Sequence, residues 1–320
     1  MKAIVVEQFG GPEVMRLKEI PELRPDAGQV LVEMKSVGVN PVEAYVRTGT
    51  YTRKPRLPYT PGTDGAGIVK AVGAGVKKFK PGDRVYTFQS ISGTYGQFAL
   101  CPENGVHKLP KNASFNQGAA LGVPFATAYA ALFLKAKVKA GETVLVHGAT
   151  GGVGHAAVQY AKLAGAKVIG TAGTPEGEKF LQQIHSDFAL NHADPEHFKK
   201  AMDITGGKGV DVIVEFLANA NLAEDLKILG MRGRIVVVGN RGAIEINPRD
   251  LMAKDGVIFG MVLFNTEPGQ LRGIHDILSR DLEKKRIDPV IGREIRLEDA
   301  PEAHEALMKP GARGKVVLIP

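Results

Sequence analysis

A glycine-rich turn that joins an apolar strand to a helix constrains the fold of this chain more than any other feature. Residues 143–146 predict a buried strand, residues 148–154 supply the turn, and small apolar residues follow at helical spacing. Gly151, Gly152 and Gly154 let the backbone approach a pyrophosphate, whose charge then lies at the free N–H groups and positive dipole end of the helix. The turn therefore predicts a dinucleotide-binding site.

A glycine pattern alone is weak evidence for a dinucleotide site, but the segments around the turn support the prediction. A second strand is predicted at 167–171, at the distance expected in a βαβ unit, and further parallel strands at 210–216 and 234–239. One position departs from the G-x-G-x-x-G pattern, because Ala149 replaces its first glycine. A turn that merely packs the helix on the sheet is the alternative interpretation.

Length and composition predict a soluble protein of two domains. A chain of 320 residues is long enough for a large core, and its hydrophobic content is 44%. There is no run of about 18 apolar residues, and the sequence enters a predicted strand at Lys2–Val6, so we expect a cytoplasmic protein. Cys101 is the only cysteine, which excludes an internal disulfide and a multi-cysteine zinc site.

The net charge of +7 suits an anionic cofactor, but it also raises the alternative of nucleic-acid binding. Lysines and arginines are spread along the chain with no block of five or more. Tryptophan is absent and aromatic content is 6%, which makes a poor platform for stacking bases. Composition therefore favours the cofactor over the nucleic acid.

The chain divides into a β-rich part and an α/β part. Short strands separated by Gly and Pro predict a β-rich module over residues 1–122, and a helix at 125–135 leads into the nucleotide unit. A lone closing strand at 314–319 is expected to return to the first module. The predicted domains are therefore 1–122 with 270–320, and 123–269.

Several longer segments resemble the zinc-independent quinone oxidoreductases of zeta-crystallin type, in the medium-chain dehydrogenase/reductase superfamily. The resemblance covers essentially the whole chain. It implies an α/β fold with a GroES-like β-rich domain and a Rossmann domain with a doubly wound parallel sheet, the cofactor lying in the cleft between them. The segments that carry the resemblance are 9–14 (FGGPEV), 38–45 (GVNPVEAY), 47–51 (RTGTY), 57–64 (LPYTPGTD), 147–154 (HGATGGVG), 170–173 (GTAG) and 245–249 (EINPR).

The resemblance also separates this chain from the zinc-dependent members of that superfamily. Those proteins have a Cys where this chain has Asn40, and Gly-His-Glu where it has Gly62, Thr63 and Asp64. Zinc needs three protein ligands with soft or imidazole donors for Lewis-acid work, so we predict no metal. Without a metal, the chemistry suits acceptors that take a hydride readily, such as quinones and activated alkenes.

The predicted cofactor is NADPH. A site that prefers NAD has an Asp or Glu at the end of the second strand, and residues 171–174 here are Thr-Ala-Gly-Thr. Without that carboxylate nothing repels a 2′-phosphate.

Most individual site residues follow from the resemblance alone. It implies Gly173, Lys179 and His192 near the adenosine phosphate, and Tyr45 beside the nicotinamide. Arg313 is a further basic candidate, although Lys179 and Arg313 are also typical of solvated surface charges. The remaining implied cofactor contacts are Thr150, Gly151, Gly152, Val153, Asn221, Val238, Gly239, Asn240 and Arg241.

Asn40 and Tyr45 are the predicted catalytic residues, because each has a donor for a quinone oxygen on which charge develops. Tyr51 and Tyr59 are candidates to flank the ring of the substrate. Aromatic residues of a β-rich module also pack in cores or loops, which is the alternative for both.

Three other functions stay open at this point. The same fold hosts reductases of α,β-unsaturated aldehydes or ketones, and proteins of this type also serve as lens crystallins or bind single-stranded RNA. We further expect a homodimer or homotetramer, since residues 257–264 form an apolar strand late in the Rossmann order, where an exposed sheet edge needs cover. An internal strand is the alternative for this segment.

Overall fold

The computed structural model describes residues 1–320, which divide into two compact units. The first consists of Met1–Val123 and Arg272–Pro320, and the second of Pro124–Leu271. The predicted bounds, 1–122 with 270–320 and 123–269, differ from these by one or two residues. None of the helices has both the length and the hydropathy needed to cross a bilayer.

Fifteen strands and ten α-helices make up the two units. The strands are β1 (Lys2–Val6), β2 (Met15–Glu19), β3 (Gln29–Gly38), β4 (Asp64–Val72), β5 (Arg84–Thr87), β6 (Phe98–Pro102), β7 (Val106–Lys108), β8 (Thr143–Val146), β9 (Lys167–Ala172), β10 (Phe188–Asn191), β11 (Val210–Glu215), β12 (Leu229–Val237), β13 (Val257–Gly260), β14 (Ile291–Arg296) and β15 (Lys315–Ile319). The helices are α1 (Pro41–Arg47), α2 (Phe115–Ala119), α3 (Gly122–Tyr129), α4 (Gly152–Leu163), α5 (Pro175–Gln183), α6 (His197–Ile204), α7 (Ala218–Ile228), α8 (Pro248–Met252), α9 (Pro268–Glu283) and α10 (Ala300–Met308).

The first unit is built on a seven-stranded sheet with a mixed strand pattern. The order is β14-β15-β3-β4-β5-β7, with β6 paired to β3, and β1 and β2 form a separate two-stranded sheet. The closing strand β15 runs antiparallel to β3, so the predicted return of the chain to the first module is correct. The sequence analysis missed β14, which lies parallel to β15. Val30, Val32 and Val37 of β3 are buried and form part of the core of this unit.

The second unit is a six-stranded parallel sheet with helices. Its order is β10-β9-β8-β11-β12-β13, and every neighbouring pair is parallel. From β8 the chain first moves outward through β9 and β10, and then crosses back to β11 on the other side. The strand order therefore reverses between β8 and β11, which is where open α/β sheets bind ligands at the carboxyl ends of their strands.

Two predicted strands have different limits in the structure. The segment predicted at 234–239 begins earlier, at Leu229, and ends at Val237. The segment predicted at 257–264 ends at Gly260, and Leu263–Asn265 form a single 3₁₀ turn. The reason is the register, since Gly260 pairs with Val237, the last residue of β12, and no ladder partner follows. β13 does lie at the edge of the sheet, as predicted.

Candidate functional site

The glycine turn, residues 148–154, connects β8 to α4 and is tied to the end of β9. The N–H of Gly148 donates to Thr171 Oγ1 at 3.0 Å, and the N–H of Ala149 donates to the Thr171 carbonyl at 2.8 Å. Gly148 has φ of 51°, in the left-handed region that glycine adopts at little cost. The turn is therefore held in one shape by the neighbouring strand.

Gly154 is required by close packing within the turn. A Cβ at this position would lie 2.5 Å from the Gly148 carbonyl oxygen and 2.7 Å from Ala149 Cα, both of them backbone atoms. The first turn of α4 leaves N–H groups without intrahelical acceptors, and these groups suit an anion. The turn thus fits the pyrophosphate of a dinucleotide. Its predicted contact residues are all partly exposed: Thr150, Gly151, Gly152 and Val153.

Gly173 and His192, two predicted cofactor residues, lie against each other after β9. A Cβ on Gly173 would come within 2.7 Å of His192 Nε2, so only glycine leaves room for the imidazole. His192 Nδ1 lies 3.2 Å from Thr171 Oγ1, the atom that accepts from the glycine turn. Burial lowers the pKa of His192, so its ring is neutral at neutral pH.

The positions directly after β9 carry no carboxylate. Thr174 caps α5, accepting a hydrogen bond from the N–H of Gly177 at 3.1 Å. Lys179 is exposed on α5, and Arg313 is exposed in the other unit. Their predicted contacts with the 2′-phosphate stay predictions.

Glu215, the last residue of β11, organises the next group of predicted cofactor residues. Its carbonyl accepts from the N–H groups of Val238 and Gly239, at 2.8 and 3.2 Å. Its carboxylate accepts from Asn221 Nδ2, at 3.1 Å to the nearer oxygen, and also from the Leu217 N–H. Glu215 therefore brings together three predicted contact residues, Asn221, Val238 and Gly239. The sequence analysis did not identify Glu215 as a site residue.

Asn240 and Arg241 are held by a second pair of bonds in the same region. Asn240 Oδ1 accepts from the N–H of Asn219 at 2.9 Å, and Asn219 Oδ1 accepts from the N–H of Arg241 at 2.9 Å. Both predicted residues are exposed. The reciprocal bonds fix the loop after β12 against the start of α7.

A fully buried polar cluster lies behind these loops. His147 Nε2 is 2.7 Å from Asp225 Oδ1 and 3.6 Å from Glu215 Oε2. Burial raises the pKa values of Glu215 and Asp225 to about 7 each, and it lowers the pKa of His147. The signal available in the sequence was a histidine directly before the glycine turn and an acid at the end of an apolar strand.

The first unit holds a second buried polar cluster, around Asn40 at the N-terminus of α1. The Asn40 N–H donates to Glu43 Oε2 at 2.8 Å, which gives the reciprocal bond of a capping box. Asn40 Nδ2 donates to Asp64 Oδ2 at 2.9 Å and to Glu43 Oε1 at 3.4 Å. The Lys315 ammonium donates to Asn40 Oδ1 and lies 3.5 Å from Asp64 Oδ2. Every polar atom of the Asn40 side chain is therefore engaged.

The three positions at which the zinc-dependent relatives supply ligand residues do converge here. Thr63 Oγ1 donates to Glu43 Oε1 at 3.3 Å, next to Asn40 and Asp64. The set contains neither sulfur nor imidazole, and the ammonium of Lys315 already supplies a positive charge to Asn40 and Asp64. These residues do not fit a catalytic zinc ion.

Burial controls the ionisation of this cluster. It raises the pKa of Asp64 and of Glu43 and lowers the pKa of Lys315, while the opposite charges act against each of these shifts. Glu43 also accepts from the Tyr95 hydroxyl at 2.7 Å, and that hydroxyl lies 3.0 Å from His304 Nε2. Burial lowers the pKa of His304 to about 3, so this ring is neutral.

The three predicted tyrosines lie in two different settings. Tyr45, on α1, is half-buried, and its carbonyl accepts from the N–H of Tyr51 at 3.2 Å, so these two residues are neighbours. Tyr59 exchanges two backbone bonds with Val6 and packs against the core of the first unit. Burial raises the pKa of the Tyr59 hydroxyl to about 12. This setting matches the core-packing alternative for Tyr59.

Comparison with known proteins defines the class. The profile of the alcohol dehydrogenase GroES-like domain matches residues 26–111, and that of the zinc-binding dehydrogenases matches residues 152–280. With the parallel sheet of the second unit, they confirm the predicted α/β class, with a GroES-like and a Rossmann domain. This pairing is that of the medium-chain dehydrogenase/reductase superfamily.

Individual relatives identify the family within this superfamily. The quinone oxidoreductase of Rattus norvegicus is 50% identical over 321 residues, covering 100% of this chain and 98% of that protein. The Escherichia coli quinone oxidoreductase, crystallised with NADPH, is 33% identical with a TM-score of 0.92, and both chains are covered in full. An NAD-dependent alcohol dehydrogenase is 31% identical with a TM-score of 0.93, again over both full chains. The chain belongs to the quinone oxidoreductase family.

Proposed function

We propose that this protein is a zinc-independent NADPH:quinone oxidoreductase. The observation that carries the proposal is the Asn40–Asp64–Lys315 cluster, which stands where the zinc-dependent relatives have ligands and offers no donor set for that metal. The glycine turn and the absence of a carboxylate after β9 support NADPH as the cofactor. The high identity to a quinone oxidoreductase supports the quinone.

The two units divide the work in this proposal. The second unit, Pro124–Leu271, binds the dinucleotide through the glycine turn, the end of β9 and the loops after β11 and β12. The first unit contains Tyr45, the proposed donor to the acceptor. We also propose that the protein is cytoplasmic.

The chemistry asks little acid or base work of the protein. NADPH supplies a hydride, or two electrons and a proton in steps, and a second proton from solvent completes the hydroquinone. Tyr45 donates a hydrogen bond to the acceptor oxygen on which negative charge develops. Asn40 is 2% exposed and its side-chain amide is fully engaged by Glu43, Asp64 and Lys315, so in this proposal it holds that cluster together while Tyr45 is the donor to the acceptor.

Activity with two cofactors and two acceptors tests the proposal. Purified protein is mixed with NADPH or NADH and with an ortho-quinone or an α,β-unsaturated aldehyde, and the loss of reduced-nicotinamide absorbance is followed. We expect NADPH with the quinone to give kcat/KM at least about tenfold above the other combinations. A faster reaction with the aldehyde would assign the protein to the alkenal reductases. If no acceptor gives turnover and salt-sensitive binding of single-stranded RNA is found, the enzyme function is wrong.

Replacing Thr174 tests the choice of NADPH. Thr174→Asp keeps the cap of α5, because Asp also caps helices well, and it places a carboxylate directly after β9. Repulsion of the 2′-phosphate should lower kcat/KM for NADPH by about tenfold or more relative to NADH. Thr174→Asn is the control of the same shape without the charge. Equal cofactor ratios in the Asp and Asn variants would show that this position does not face the phosphate.

Replacing Tyr45 separates a catalytic role from a structural one. We expect Tyr45→Ala to weaken the use of NADPH and quinone by about tenfold while the melting temperature changes little, because Tyr45 is only half-buried. Tyr45→Phe keeps the ring and removes the donor. A parallel loss of activity and thermal stability in Tyr45→Ala would mean that the residue is structural.

We also propose a homodimer, or a dimer of such dimers, formed through the edge strand β13. Val257 of β13 is 41% exposed, and Val262, two residues beyond the end of that strand, is 47% exposed. An apolar sheet edge is a template for pairing with another chain, so a second copy is its natural cover. Light scattering during gel filtration should give at least twice the monomer mass, and Val257→Lys should lower it. A monomeric wild-type protein would contradict this.

A further inference from the structure

The buried cluster of His147, Glu215 and Asp225 lies where the strand order of the second sheet reverses. β8 and β11 are parallel neighbours in which Val146 pairs with Val214. His147 directly follows Val146 of β8, and Glu215 directly follows Val214 in β11. Asp225 contacts them from α7. The cluster therefore joins both strands and the helix at the carboxyl edge of the sheet.

The cluster is bonded directly to the segments predicted to hold the dinucleotide. His147 immediately precedes the glycine turn, and its N–H donates to the Val214 carbonyl at 3.1 Å. Glu215 holds Asn221 through its carboxylate and the loop after β12 through its carbonyl. No member of the cluster is more than 2% exposed, so it acts on a ligand only through these segments.

We infer that the His147–Glu215–Asp225 cluster is a positioning site that sets the affinity for NADPH by fixing the loops after β8 and β11. This inference rests on the proposed function. A bound dinucleotide gains from loops that are already ordered, because the cost of ordering them is met during folding. Glu215→Gln keeps one oxygen to accept from the Leu217 N–H, but it replaces the other oxygen with an NH2 group, so Asn221 Nδ2 loses the nearer of its two acceptors and faces a second donor.

The charge state of the cluster gives the positioning site a second readout. Two buried carboxyl groups with pKa values near 7 hold protons below neutral pH and lose them above it. Added negative charge beside a bound pyrophosphate repels it, so affinity should fall as the pH rises through neutrality. The titratable and charged groups around the cluster are His197, whose ring lies 6.4 Å from that of His147, His192, and Glu224 on α7.

Glu215→Gln and Asp225→Asn test the inference, with Glu142→Gln as the matched control. Glu142 pairs with Arg234 at 2.9 Å at the opposite, amino end of β8, so its loss changes stability without touching the loops. NADPH binding is measured by fluorescence titration, with a metal analysis of each protein. We expect Glu215→Gln to raise Kd about tenfold with kcat at saturating NADPH nearly unchanged, and Asp225→Asn to flatten the dependence of Kd on pH. The titration of the cofactor's own phosphate is common to all variants and cancels in their ratio.

Three results would overturn the inference. One is a Kd in folded Glu215→Gln within about twofold of wild type. Another is an unchanged pH dependence in Asp225→Asn, which decides the matter even if Glu215→Gln does not fold. The third is one equivalent of bound metal whose removal reproduces the loss, which would make the cluster a metal centre. If the wild-type protein binds NADPH but does not reduce quinones, the proposed function is wrong, and the inference about NADPH affinity is unaffected.

Discussion

Gly154→Ala should weaken NADPH binding by about 100-fold or more, the largest effect on binding that we expect from a single methyl group. The added Cβ would lie 2.5 Å from the Gly148 carbonyl oxygen and 2.7 Å from Ala149 Cα. Both are backbone atoms, so no side chain can rotate away and α4 must move off the turn. Its first N–H groups then no longer point at the pyrophosphate. Fluorescence titration with NADPH measures the effect, and circular dichroism checks that the variant is folded.

Two other glycines separate this effect from a general effect of alanine. Gly273→Ala, in α9, adds a methyl group with no atom within 4 Å and should leave binding unchanged. A Cβ on Gly151 would contact only the Gly148 carbonyl oxygen, at 3.7 Å, so the protein itself tolerates Gly151→Ala. Weak NADPH binding by a stable Gly151→Ala would therefore report a ligand in that space. Tight binding by folded Gly154→Ala would mean that the turn does not hold the cofactor.

Lys315→Met should lower the free energy of unfolding by about 3–5 kcal/mol, the largest loss of stability that we expect. Lys315 is 2% exposed and Asp64 is fully buried, so the substitution removes the positive partner of a carboxylate that water cannot reach. Urea unfolding measures the change. Lys162→Met is the control for an exposed pair, with Asp187 at 2.7 Å, and should lose about 1 kcal/mol or less.

The loss in Lys315→Met should depend on pH in a defined direction. Burial raises the pKa of Asp64, and removal of the lysine raises it further, so the folded variant binds a proton that the unfolded chain has released. The variant is then most stable at acid pH. Its free energy of unfolding falls as the pH rises from the pKa of Asp64 in the unfolded chain towards the higher pKa of Asp64 in the folded variant. Addition of Asp64→Asn should recover much of the loss above neutral pH. A loss that is independent of pH, with no recovery, would mean that Lys315 acts through packing alone.

The sequence was sufficient to predict those features that depend on local pattern. The glycine turn, β9 and the strand β1 follow from apolar runs and from glycines whose positions a backbone contact explains. The return of β15 to the first sheet was predicted because a lone strand needs a partner. The limits of β13 were not, because they depend on where β12 ends, and that is a property of the register between two segments.

The two buried clusters could not be predicted, because their members meet only in the folded chain. Lys315 lies 275 positions from Asn40 in sequence, and Asp225 lies 78 positions from His147. A lysine in an apolar closing strand gives no local sign that it pairs with the asparagine that caps α1 and with an aspartate of β4. The partners of Asn40 were missed for the same reason, although Asn40 itself was named as a candidate.

Turnover by metal-free protein tests the central claim most directly. The claim is that the Asn40–Asp64–Lys315 cluster supports quinone reduction by NADPH without zinc. The protein is dialysed against a strong chelator, its metal content is measured, and oxidation of NADPH by an ortho-quinone is followed. We predict the same kcat as before dialysis and no increase on adding zinc. Loss of turnover on dialysis with recovery in zinc would contradict the account.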